Sequence, residues 1–516
     1  MEVEFQVPSL GERNDIADHE LPIQGLRNSQ NFIRSDKGRL SIRPGYKLLG
    51  TTQPGGRIMG VSGFRTAASV DKQVAANTTG VWVYDGTNWT DITLGGSALS
   101  GGNTDHVRFT IMGVSGTYKA IITNGVNTPK IWNGAAATYS NLGGTPGVSI
   151  VSAVVANRLL LLQSPDIVKV SEFNDPETYP TGSGFTSRLI DSGDLMIGMD
   201  RLNRTSAAIL GEESQWVARA QSGSNPFRFE RIDDKSGPMS CACVVRYGNA
   251  VYWLADDFNC YRFDGVNCQA IGWAMKPYVR SNISIANKKM SHGCYHDAIG
   301  KIFWHFPADG TDGPGLGIFL DMRTGEMGRL SYGRLITASG RVRVIISVRW
   351  DDLTGTWEAL PDTYPTWDSF GSSASERRTL FGSSAGNVYS SNVGDGSDGG
   401  SAIEGIFEVP LKAYSGWSMN TVPDTFETFF RKSANPTTIE TAIGYTDTLM
   451  NDPVYMPMES FDISTDQRND IDLTSVGEKR FISLRHKVQA ANGQVDWLGG
   501  LFRTNKADIA RGPTNG

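Results

Sequence analysis

The chain has 516 residues, of which 39% are hydrophobic and 20% charged, with 59 glycines and 22 prolines. That composition excludes wholesale disorder, and the lack of a G-X-Y period excludes a collagen-like chain. With a formal net charge of −6, the surface is a poor general binder of DNA phosphate, because such binding rests on counterion release by clustered bases.

Residues 1–56 read as an arm. The opening, MEVEFQVPSLGERND, is acidic and polar, unlike a signal peptide. A short helix is predicted over 24–33, with Leu26, Gln30 and Ile33 on one side. Gly38-Arg39-Leu40-Ser41-Ile42-Arg43-Pro44-Gly45-Tyr46 follows as a turn, a strand and a second turn. The stretch 27–47 holds six bases and one acid, which fits a solvated strand and loop or a phosphate contact.

From 57 to 401 the chain reads as strands of four to eight residues cut by Gly, Asn, Asp and Ser. Val81-Trp82-Val83-Tyr84 closes on Asp85-Gly86, residues 119–123 lead to Asn124-Gly125, and Lys130-Ile131-Trp132 closes on Asn133-Gly134. Residues 158–162 are apolar on both faces, as a fully buried strand would be. Strands at 250–254, 260–263 with Asp264-Gly265, 302–306, 317–320 and 387–390 continue the series, broken by one weak helix at 274–283. The phrase strand, turn, aromatic strand, Asx-Gly, short strand recurs. Asp85 and Asn133 lie 48 residues apart, the length of one propeller blade. Such a unit cannot bury its faces alone, so repetition implies a ring. The predicted fold is all-β: a β-propeller of about six blades, with room for six or seven, and an additional C-terminal antiparallel β domain at 402–516.

In that last domain Ile482, Leu484, His486 and Val488 alternate with polar neighbours, as do Val495, Trp497, Gly499 and Leu501, and the tail after Phe502 reads as loose. Residues 421–480 carry eleven acids against five bases, so its solvated face is expected to be electronegative. Asp462, Asp466, Asp470 and Asp472 are the candidate channel-facing acids.

Five cysteines, Cys241, Cys243, Cys260, Cys268 and Cys294, are too few for a disulfide framework and fit assembly in a reducing cytoplasm. No apolar run approaches the roughly 18 residues that span a bilayer as a helix. His292, Cys294 and His296 alternate along one strand near His305 and could hold zinc. No C-x-x-C pair or carboxylate stands at ligand spacing, so no metal is expected. Cys241 and Cys243 have the wrong spacing for a redox motif. The adjacent acids Glu212-Glu213, Asp233-Asp234 and Asp256-Asp257 do not make the paired carboxylates of a glycosidase, since neighbours on a strand point apart. Asp85-Gly-Thr-Asn-Trp89 is similar to the Asp-box turn of sialidase propellers, where Asp and Trp fix a hairpin. There is no nucleophile elbow, P-loop, dinucleotide-binding glycine pattern or H-E-x-x-H, so neither enzyme activity nor a cofactor is expected.

The phrase Leu26-Arg27-Asn28, Asn31, Gly38-Arg39-Leu40 and Arg43-Pro44-Gly45-Tyr46 resembles the opening of tail proteins of short-tailed bacteriophages. In order along the chain, four more segments resemble their tail nozzle, the packaged-DNA stabilisation family. These are Ser171-Glu172-Phe173 with Asp175-Pro176-Glu177 as a loop after the third blade, Gly211 to Trp216, Gly237-Pro238, and Leu380 to Tyr389 as the last blade. The resemblance implies a structural virion protein, assembled in the host cytoplasm into a homohexamer below the head-to-tail adaptor. It would dock tail fibres, spikes or a needle and retain genomic double-stranded DNA that passes through its lumen without sequence-specific contact. An acidic lumen would keep that DNA free to slide. The alternative expectation is a carbohydrate-binding or glycan-degrading propeller.

Overall fold

The computed structural model describes residues 2–509 except 6, 18–19, 36, 67–69, 115, 183, 190–192, 347–373, 392–395, 411, 413–418, 432–436, 447–452, 466, 477–478, 480 and 491–494. Its strands form seven four-stranded antiparallel blades among the described residues, one more than the six expected. They span 58–91, 108–141, 151–188, 196–233, 245–270, 292–331 and 336–391. The first strand of each blade packs against the first strand of the next, and Ile336–Ile346 of blade seven returns to Ile58–Arg65 of blade one. The ring is therefore closed.

The second strands explain why the blades stack. Ala75, Ala76, Leu159 to Leu162, Ala207 to Leu210, and Val251 to Leu254 are buried on both faces of their sheets. A sheet covered on both sides needs an unbroken apolar run rather than an alternating one. Seven separate apolar clusters result, one at each junction between successive blades. Blade seven completes itself with Lys47–Leu48, which pairs with Val388–Ser391. An N-terminal strand thus closes the ring against its last blade.

Three of the Asx-Gly marks fall at equivalent places, whereas Asn124-Gly125 joins the second and third strands of blade two. Asp85-Gly86, Asn133-Gly134 and Asp264-Gly265 each join the third and fourth strands of a blade. In each, the side-chain oxygen accepts two backbone N–H groups: Thr87 and Asn88, Ala135 and Ala136, Val266 and Asn267. Gly86 supplies the positive φ (109°) that an ordinary side chain resists. Trp89 then donates its indole N–H to the Leu49 carbonyl, so the Asp-box-like turn has a structural role.

The arm differs from its sequence reading. Residues 24–33 do not form a helix; Asn28–Gln30 and Phe32–Arg34 are strands of two different sheets. Asn28–Gln30 runs parallel to Met327–Ser331 of blade six and antiparallel to Ser401–Glu408. The blade-six sheet therefore continues into Phe481–Ala490, Thr438–Thr446 and Val454–Asp462. The helical spacing of Leu26, Gln30 and Ile33 is a coincidence of residues that serve separate ladders. The weak helix at 274–283 forms over Lys276–Asn282. No helix among the described residues is long and apolar enough to cross a membrane.

A second sheet orders Phe32–Arg34, Leu40–Ile42, Asp496–Ile509, Met419–Phe430 and Arg468–Asp472, with Glu2–Phe5 pairing alongside Asp496–Ile509. It packs on the extended sheet as a sandwich around Phe32, Phe407, Phe426, Ile443 and Trp497. Ile482, Leu484, His486 and Val488 share the buried face of the extended sheet. The tail read as loose after Phe502 continues as strand to Ile509, and residues beyond that lie outside the described residues. Ser171 to Glu177 lies between the third and fourth strands of blade three, not after that blade.

Candidate functional site: the axial channel

Seven first strands around one axis leave a hollow. A cavity of about 440 Å³ is bounded by Arg108, Asp200, Arg246, His292, Tyr295 and Arg341, among others. A second hollow, of about 210 Å³, shares Arg108, Asp200 and Arg246 and adds Arg201 and Ser152. Each of these polar residues stands on the first strand of its blade, or at that strand's end: blade two for Arg108, three for Ser152, four for Asp200 and Arg201, five for Arg246, seven for Arg341.

The charges around Asp200 are uneven. Burial pushes its carboxyl above the usual range, while Arg108, Arg246 and Arg201 pull it back. Arg246 is pushed below the usual arginine value, first by burial and then by Arg201, with Arg341 adding to this and Asp200 opposing it. Its buried Nε has no hydrogen-bond partner among the described residues. Arg341 is better served, with two bonds of 2.6 and 2.7 Å to Asp297, which also meets Arg377 at 3.4 Å.

The histidines assemble differently from a zinc site. His292 stacks on His305 with centroids 4.8 Å apart and lies 6.2 Å from His106. His296 faces the Ser391 hydroxyl at 3.2 Å, and burial pushes the Cys294 thiol up to about 12. Among the described residues no three His, Cys, Asp or Glu side chains are placed to hold a metal ion.

Members of all three adjacent acid pairs come together where the sequence kept the pairs apart. Glu212, Glu213, Asp234 and Asp256 share the wall of a 640 Å³ cleft with Arg231, Lys235, Lys288 and Lys289. The cleft is a mixed-charge surface: Lys288 meets Asp256 at 2.6 Å and Arg231 meets Asp234 at 2.8 Å. Asp257 instead accepts from Tyr261 and Lys276, both at 3.0 Å.

Three of the arm's six bases are held by acids, while Lys37 and Lys47 are exposed. Arg34 meets Glu326 of blade six at 2.9 Å, Arg39 meets Asp496 of the sandwich at 3.4 Å, and Arg43 binds Asp398. These bases staple the arm between the two bodies. Of the four candidate acids, Asp462 ends a strand and accepts the N–H groups of Thr437 and Ser464, which lowers its pKa. Asp472 is lowered by the Thr474 hydroxyl and N–H, while Asp470 holds Arg468 through two bonds. Asp466 lies outside the described residues. All three described acids belong to the sandwich, and none borders the propeller's own channel.

The channel residues carry no linear motif, because they come from different blades. The available signal was one or two charged residues within a largely apolar first strand, in blades two, four, five and seven: Arg108, Asp200 with Arg201, Arg246, and Arg341 with Arg343.

No protein-family model matches the chain, and no curated protein does. Among solved structures, the crystal structure of BamB from Moraxella catarrhalis is similar at 12% identity, covering 76% of this chain and 98% of that one, with a TM-score of 0.37. YCF48 from Cyanidioschyzon merolae is similar at 8% identity, covering 67% and 98%, also with a TM-score of 0.37.

Proposed function

We propose that the chain is a non-catalytic structural subunit of a short-tailed phage nozzle, a ring that extends the DNA channel below the head-to-tail adaptor and docks fibres, spikes or a needle. The observation that carries this reading is the single sheet running from blade six through Asn28–Gln30 into the sandwich. Two domains joined by a linker move relative to each other by default. Here a hydrogen-bonded ladder and the arginine staples join them, which suits a wall that must hold its shape. In the ring, the sandwich acids Asp462, Asp470 and Asp472 face the DNA. Hydrogen bonds that lower Asp462 and Asp472 keep both ionised, so they repel phosphate rather than hold it. The virion is the place of action and six copies the working unit.

Mixing the protein with its adaptor ring tests this. Six copies per adaptor assembly, seen by native mass measurement, is the expected result. Turnover of capsular polysaccharide by the pure chain would replace this reading with a glycan-degrading one. That chemistry needs two carboxylates at one site; among the described residues Asp200 is the one carboxylate bordering the channel, and in the 640 Å³ cleft Asp234 and Asp256 are tied up by Arg231 and Lys288.

A further inference from the structure

We propose that the propeller channel of each chain binds a compact oxyanion of the phosphate class, held by Arg108, Arg201 and Arg246. This goes beyond the nozzle reading, because the site lies inside one chain and does not depend on assembly.

Arginines from three blades, Arg108, Arg201 and Arg246, and one carboxylate, Asp200, border a 210 Å³ hollow. The balance leaves two positive charges in excess. Among the described residues no carboxylate other than Asp200 borders this hollow to account for it.

The donor set selects the ligand. Arginine forks match the oxygens of phosphate bidentately, and donors arriving from several directions suit a tetrahedral anion better than a planar carboxylate. The excess of two charges equals that of a phosphate dianion. Arg246 is lowered first by burial and then by Arg201 and Arg341, and the repulsion among these arginines is relieved when such an anion enters. The adjoining 440 Å³ cavity leaves room for an organic group on the phosphate.

Titration calorimetry of the full chain, at fixed ionic strength with chloride as the balancing ion, tests the assignment. Inorganic phosphate and glycerol 3-phosphate are the two probes. One saturable site per chain is expected for at least one of them. Binding of both shows that the phosphate group suffices, and binding of the ester alone shows that the larger cavity contributes; either supports the proposal. Arg108→Gln and Arg246→Gln should each weaken binding by about tenfold or more. Asp200→Asn should tighten it, a gain that misfolding cannot imitate, so this variant decides the matter should the arginine variants fail to fold. Arg188→Gln, an exposed arginine outside the channel, serves as the unchanged control. No saturable heat with millimolar concentrations of either probe would overturn the proposal. So would equal affinity in the Arg246→Gln and Asp200→Asn proteins.

Discussion

Arg43 joins three parts of the chain through one side chain. Its guanidinium binds both oxygens of Asp398 at 2.8 and 2.6 Å, donates to Asn31 Oδ1 at 3.0 Å and to the Ser331 carbonyl at 2.8 Å, and lies 4.2 Å from the centre of the Tyr332 ring. Both partners of the pair are almost fully buried. Removing one leaves the other charged and unpaired, so Arg43→Ala should lose about 3–5 kcal/mol, read as a fall in the urea midpoint. The double variant Arg43→Met with Asp398→Leu should lose less than the sum of the two single changes. Gly45 answers to the same corner. A Cβ there would overlap the Ser397 carbonyl, which accepts the Tyr46 N–H at 2.9 Å. Gly45→Ala should therefore detach the turn and raise proteolysis near residues 45 and 397. The sequence showed the Arg-Pro-Gly turn but not what it grips, because Asp398 lies 355 positions away and no local pattern reports such a pairing. The channel arginines stayed hidden for the same reason.

At the level of elements, the Asx turns were legible because their chemistry is local. Asp85 and its two N–H partners lie within three residues. Asp85→Ala removes both bonds and should lower the urea midpoint, with faster amide exchange at Thr87 and Asn88. Asn at this position should restore most of the loss, since Asn133 makes the same turn in blade two. The arm was misread because a three-residue strand has too few positions to show a period of two, and an accidental helical spacing filled the gap. Its pairing with Arg329 and with Ile406 is set by residues hundreds of positions downstream. Blade seven was harder to delimit for a related reason, since its outer strand, Lys47–Leu48, comes from the other end of the chain.

For the whole molecule, the described histidines act together. His106 and His296 are pushed down to about 4, His305 and His486 to about 3, and His292 well below the usual value, each first by burial. The unfolded chain therefore takes up protons first as pH falls. Stability from these neutral rings is complete above pH about 6.5 and is lost from there downward, by up to about 1.4 kcal/mol per pH unit per histidine. Glu12, Glu326 and Glu408, raised by burial, oppose this in the more acidic part of the range. Urea midpoints should fall between pH about 7 and pH about 5.5. His486→Phe, placed among Phe407, Phe426 and Trp497, should reduce the slope by up to one proton.

The most direct test of the conduit role is a reconstruction of the particle that carries this protein. Six copies are expected around the tail axis, next to the adaptor, with the sandwich acids turned toward the DNA. A different rotational order, or single copies on the outer surface with their channels open to glycans, would contradict the account.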